Sequence, residues 1–128
     1  MTDVGLTLQA IRSPAMRAGD VVWVDFEIPQ GSEPGFGRPS IVITADLVIA
    51  ANPTTLHVIP ITSNMTRRLP TEIDIDIPDH NIRGMAQVHL CSVISRSRVI
   101  DSLDEPTNVS AAALSQVRSV LADLLDLP

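Results

Sequence analysis

The chain has no lysine and no tyrosine, and it has a single cysteine, a single tryptophan and two phenylalanines among its 128 residues. One cysteine, Cys91, excludes an internal disulfide framework and fits a reducing compartment. Beside the apolar Leu90 it reads as a packing residue, because a reactive thiol needs electropositive, partly open surroundings. No apolar run approaches the ~20 residues of a membrane span, and the N-terminus lacks a signal-peptide pattern, so a cytoplasmic protein is expected. The rings Trp23, Phe26 and Phe36 are too few for broad stacking of bases along a nucleic acid. None of the three His has partners at metal-ligand spacing and no Cys pair exists, so neither a zinc site nor a cofactor is expected.

What is present describes a folded globule. The length suits one domain able to bury a core without staples. The 45% hydrophobic content, with ten Pro and six Gly bordering many of the apolar runs, predicts short strands and turns. A formal charge of -6 is unfavourable for phosphate binding, yet its distribution is uneven. Residues 80–100 hold Arg83, Arg96 and Arg98 with no acid, whereas residues 101–128 hold five acids against Arg118. All nine cationic side chains are Arg, the residue whose planar fork matches phosphate.

Residues 1–18 lack periodicity and read as an N-terminal extension, leaving 19–128 as the folded unit. Residues 20–27 alternate as a strand with a well-buried centre, Val22, Val24 and Phe26 falling on one face. After a Pro- and Gly-rich loop over 28–37, residues 39–45 form a β-branched run that Pro39 can only begin. Residues 46–53 are ambiguous, and 55–62 give another strand in which Pro60 marks an edge or a bulge. In 72–77 the pattern puts Ile73, Ile75 and Ile77 inward and Glu72, Asp74 and Asp76 outward. Those three carboxylates lie about 6 to 7 Å apart along the strand, too far for one ion, and read as a solvated face.

Residues 78–84 turn the chain, and 85–94 supply a further strand or pair of short strands. Residues 97–100 begin either a short helix or another strand. A closing helix spans about 111–125, entered at the N-cap Ser110, with Leu114, Val117, Val120, Leu121, Leu124 and Leu125 on its apolar side. Strands followed by a closing helix predict an α+β fold built on a small, strongly bent, barrel-like antiparallel sheet.

Residues 31–39, Gly-Ser-Glu-Pro-Gly-Phe-Gly-Arg-Pro, hold one Arg between a glycine-rich loop and an apolar strand. Arg38 there is either an anion-binding guanidinium or a surface partner of Glu33. Phe36 beside it is either a stacking platform or a plug for the loop. Thr62, Ser63 and Asn64 end a strand with groups suited to phosphate oxygens, and the same residues make an ordinary turn. Arg67 and Arg68 either track a polyanion or form a solvated pair. His89, in Gln87-Val88-His89-Leu90 near the acid-free window, is a proton shuttle or a hydrogen-bonded structural residue.

Taken in order, Gly19-Asp-Val-Val-Trp-Val-Asp, Gly31-Ser-Glu with Arg38-Pro39, and Pro60-Ile-Thr-Ser-Asn resemble the MazF/PemK family of toxins from type II toxin-antitoxin pairs. The resemblance runs from about Ala18 to the C-terminus. It implies an SH3-like β-barrel with a C-terminal α-helix, working as a homodimer whose interface helps form an RNA groove. It further implies metal-independent cleavage of single-stranded RNA at short sequences, leaving 2′,3′-cyclic phosphate and 5′-hydroxyl ends, and a cognate antitoxin that blocks the groove. On the matching positions Arg38 and Thr62 are catalytic and Glu33 supports the loop. Glu33, Phe36, Ser63, Asn64, Arg67 and Arg68 are then RNA-binding candidates, and Arg67, Arg68, Arg96 and Arg98 are candidate docking charges for the antitoxin.

The chain departs from the family where some relatives carry Asp-Gln and it carries His89-Leu90. Either His89 replaces the acid as base, or this member is weakly active. A non-enzymatic toxin of the same fold, like the gyrase poison CcdB, is the competing reading.

Overall fold

The computed structural model describes residues 16–27, 37–64, 69–102 and 107–128. Seven strands form one antiparallel sheet: β1 (Val21–Asp25), β2 (Gly37–Val42), β3 (Thr55–Thr62), β4 (Glu72–Ile77), β5 (Ile82–Gln87), β6 (Ser92–Ser95) and β7 (Val99–Ser102). Among the described residues two α-helices accompany them, the short α1 (Asp46–Ala50) and the closing α2 (Ala111–Leu124). Strand order is β4-β5-β3-β2-β1-β7, with β6 also pairing β3. The pairing path stays open, so the sheet is barrel-like rather than a closed ring, and the expected α+β architecture stands. Among the described residues, no helix is long and apolar enough to cross a membrane.

The period-two pattern explains how so small a sheet buries both faces. Odd-numbered Val21, Ile41, Ile59 and Ile61 enter one core cluster with Ile73, Ile75 and Val117. Even-numbered Val22, Val24, Val42, Leu56 and Val58 enter the other, with Ile94 and Ile49 of α1. Successive side chains of a strand point to opposite sides, so β1, β2 and β3 each feed both clusters, and their β-branched residues suit that position.

Pro60 lies inside β3 rather than at the edge of the sheet. On one side it pairs with Ser40 of β2. On the other, the β6 ladder ends at Val58 and the β5 ladder begins at Ile61, so Pro60 falls where the partner strand changes. A residue without an N–H breaks no ladder on that edge. The same change of partner carries the end of β3 toward β5, which matters for the site.

Helix α2 starts where its sequence says. Ser110 is extended, with φ -63° and ψ 158°, and its Oγ accepts the Ala113 N–H at 3.1 Å. Val117 is fully buried and Leu114, Val120 and Leu121 pack on the first cluster, whereas Leu124 and Leu125 at the C-terminal end of the helix are exposed. Ser110→Ala is expected to cost about 1 kcal/mol, read as a lower denaturation midpoint at unchanged slope.

Four local expectations need correction, and one stretch left open by the sequence takes a definite form. Glu72 is buried, not outward, because it opens β4 from a turn: its Oε1 accepts the Leu69 N–H at 3.0 Å while its own N–H donates to the Leu69 carbonyl. Asp74 and Asp76 are exposed as expected. The ambiguous stretch after residue 45 contains α1, and β5 already begins at Ile82, inside the span assigned to a turn. His89 lies in a 3-10 turn (Val88–Leu90), not in a strand, and Pro39 is the third residue of β2 rather than its first.

Candidate active site

An open cleft of about 390 Å³ lies at the end of β3, within the range of about 300–1,000 Å³ usual for small-ligand sites. Trp23 of β1, Arg38 of β2, Thr62 and Ser63 at the end of β3, and His80 and Arg83 around the start of β5 line it. Register explains why residues so far apart in sequence meet. Ser40 pairs with Pro60. Two further residues along each antiparallel strand bring Arg38 level with Thr62, and a step of two keeps the same face. Arg38 also pairs with Val24, which puts Trp23 one residue away on the third strand. The β1–β7 ladder shifts register between Trp23 and Val24, a bulge of the kind that re-aims side chains beside sites.

Arg38 is half-buried, and its Nη1 donates to Gln87 Oε1 at 3.4 Å. That bond is long, so Gln87 steers the guanidinium more than it holds it. Among the described residues Arg38 makes no ion pair. Thr62 is half-buried as well, and its Oγ1 accepts the Asn64 N–H at 3.2 Å, closing the turn after β3. A hydroxyl that accepts there can still donate its proton toward an anion in the cleft.

The close approach of β5 to Thr62 depends on Gly84. Met85 pairs with Thr62 and Ala86 with Ile61. A Cβ on Gly84 would overlap the Thr62 carbonyl oxygen and lie 2.8 Å from its carbon. The glycine is therefore required by the backbone of Thr62.

His80 and Arg83 come from the β4–β5 hairpin. Ile77 pairs with Ile82, so the connection is the 3-10 turn Pro78–His80 plus Asn81. Asn81 has φ 54°, the left-handed conformation that Asn tolerates better than most residues, and its N–H returns to the Pro78 carbonyl at 3.1 Å. This tight reversal sets His80 and Arg83 on the cleft wall.

Among the described residues, the cleft thus carries two permanent positive charges, Arg38 and Arg83, and is lined by no Asp or Glu. An acidic chain can present a locally basic cavity when its acids lie off the wall; the described acids beside it are Asp76, opposite Arg83 in the β4–β5 ladder, Asp25, opposite Gly37, and Asp79, next to His80. The arrangement suits an anion such as a phosphodiester, gripped from two sides by forked donors.

Of the residues expected from sequence, Arg38, Thr62 and Ser63 come together in the cleft. Asn64 follows on the exposed turn. Glu33, Phe36, Arg67 and Arg68 lie outside the described residues. His89 is not on the cleft wall: it is exposed in the 3-10 turn between β5 and β6, and its Nδ1 shares a 3.0 Å hydrogen bond with Thr71 Oγ1. His57 is exposed in β3 opposite Val93, also away from the cleft. Trp23, His80, Arg83 and Gln87 were not assigned to the site from sequence. Only the acid-free window around Arg83 gave any signal for them.

Two other groups fall into place. Cys91 is half-buried against the first core cluster, and burial pushes its thiol above the ordinary range, which keeps it protonated and inert. Arg98 is engaged by Glu27 Oε1 at 3.0 Å and donates to the Asp25 carbonyl at 3.4 Å. Among the described residues, no three His, Cys, Asp or Glu side chains converge as metal ligands.

The chain belongs to the family described as PemK-like, MazF-like toxins of type II toxin-antitoxin systems, whose model matches residues 17–125. Among solved structures it is similar to MazF from Deinococcus radiodurans, at 25% identity and a TM-score of 0.75, covering 90% of this chain and 100% of that one. A MazE-MazF structure from the same organism matches at 27% identity and a TM-score of 0.67, covering 89% of this chain and 99% of that one. A mycobacterial endoribonuclease solved with its cognate antitoxin shares the fold at 18% identity and a TM-score of 0.69, with 89% and 98% covered. No curated protein sequence matches the chain.

Proposed function

We propose that this protein is the toxin of a type II pair and cleaves single-stranded RNA at short sequences without a metal, as a cytoplasmic homodimer restrained by a cognate antitoxin. The observation that carries the reading is the meeting of Arg38 and Thr62 in one cleft. Cleavage joins the 2′-oxygen to phosphorus and releases the 5′-oxygen, so negative charge grows on the non-bridging oxygens. Arg38 meets that charge with a rigid fork, Thr62 with a hydroxyl, and Arg83 adds a second cation. A guanidinium holds its proton too firmly to be a good base, and Arg38 is assigned to charge stabilisation only. Membership of the toxin family, and the MazE-MazF complexes among similar structures, support a protein antitoxin as partner.

The test is incubation of the purified protein with a mixed RNA pool in EDTA, followed by mapping of the ends. Cyclic-phosphate termini in one short sequence context are expected. Intact RNA in EDTA, with cleavage restored by Mg²⁺, would replace this chemistry with a metal nuclease. RNA left intact under every condition by folded protein would favour the non-enzymatic toxin.

A further inference from the structure

Among the described residues, the cleft contains one side chain able to do what Arg38 and Thr62 cannot. Forming the cyclic phosphate requires that the 2′-hydroxyl give up its proton. Among the described residues of the cleft wall, guanidiniums hold their protons, and hydroxyl, amide and indole groups do not accept one near neutral pH. No carboxylate of the described residues lines the cleft. His80 is the remaining titratable group, and an imidazole holds or releases a proton near neutral pH. It is also the one His of the three that is half-buried, where His57 and His89 are exposed. The hairpin built by Pro78 and the left-handed Asn81 fixes the backbone that carries it.

We propose that His80 is the general base of the RNA cleavage, an inference that rests on the ribonuclease reading of the cleft. The neutral imidazole takes the 2′-hydroxyl proton as the 2′-oxygen–phosphorus bond forms and the phosphorus–5′-oxygen bond breaks. The departing 5′-oxygen takes a proton from solvent water, and the hydroxide so formed neutralises the imidazolium. No net proton is consumed. Arg38 from β2 and Arg83 from β5 face the reacting phosphate. Asp79 lies beside His80 in its own turn, and Asp76 of β4 lies opposite Arg83.

The experiment compares wild type, His80→Asn, His80→Gln and Arg38→Ala on one RNA substrate in EDTA, with thermal unfolding as the check on folding. The second His80 variant serves if the first is unfolded. Both are expected to lower cleavage by about 10²- to 10⁴-fold. Wild-type kcat/KM should rise with pH along a limb that the variants lack. On a substrate whose 5′-oxygen is replaced by sulfur, a leaving group that needs no acid, the deficit of the variants should persist. Its disappearance there would make His80 the acid and overturn the assignment. Cleavage by folded His80 variants at the wild-type rate would also overturn it, while leaving the ribonuclease reading intact. A wild type that cleaves nothing would remove that reading and this inference together.

Discussion

Arg38→Ala is expected to lower RNA cleavage by about 10²- to 10³-fold while leaving the folded state nearly unchanged, the usual loss for one preorganised charge donor. The two halves of that expectation have separate grounds. Arg38 lies outside both core clusters, is only half-buried, and among the described residues its side chain has a single long hydrogen bond, to Gln87. Removing it leaves the Gln87 carbonyl oxygen without that partner, at a position where solvent can replace it, so the stability change should stay within about 1 kcal/mol. The charge that develops on a phosphorane, by contrast, has no substitute for the fork. Arg38→Lys keeps the charge but presents a point rather than two parallel donors, and should recover only part of the rate. Cleavage measured in EDTA beside thermal unfolding of the same samples separates these effects. A folded Arg38→Ala protein with the wild-type rate would take Arg38 out of the reaction.

The sequence carried local structure more faithfully than tertiary encounters. Strand β4 and helix α2 were legible because period two and the 3/4 spacing report burial on one face, and Ser110 marked the helix start by its own chemistry. Arg38 and Thr62 were legible as candidates because loop and strand punctuation, together with a family resemblance, singled out their positions. Whether they meet depends on a register between β2 and β3 that no local pattern encodes. His80 carries no local signal for a related reason. Its turn reaches the cleft only because β5 pairs with the last two residues of β3, and that pairing exists where β6 stops at Val58 and Gly84 lets two backbones touch. His89 misled because Gln87-Val88-His89-Leu90 has strand alternation in its letters, while the chain makes a 3-10 turn there, with the Cys91 N–H returning to the Val88 carbonyl. Glu72 misled because position in a period-two strand ignores the turn before it, which takes the carboxylate as its cap.

Gly84→Ala should be the most damaging single-methyl addition among the described glycines, lowering stability and cleavage together. The added Cβ would meet the backbone carbonyl of Thr62, with Ile61 Cγ2 at 3.2 Å, and a carbonyl in a strand cannot rotate aside as a side chain can. Overpacking of this kind costs about 1–3 kcal/mol. For a chain of this length each kcal/mol is about 4 °C in Tm, so a fall of roughly 4–12 °C is expected. The alternative to absorbing strain is separation of β5 from the end of β3, and either response shifts Thr62 relative to Arg38. A misplacement of about 1 Å costs on the order of 10²-fold in rate, so cleavage should drop even at temperatures where the variant is fully folded. Gly37→Ala supplies the contrast, because its Cβ would meet only the mobile tip of Ile100 at 3.2 Å, although Gly37 lines the same cleft and adjoins Arg38. That variant should keep its Tm within a few degrees. Equal Tm values and equal rates for the two alanine variants would mean that β5 does not press on Thr62, and the cleft would lose the contact that sets its depth.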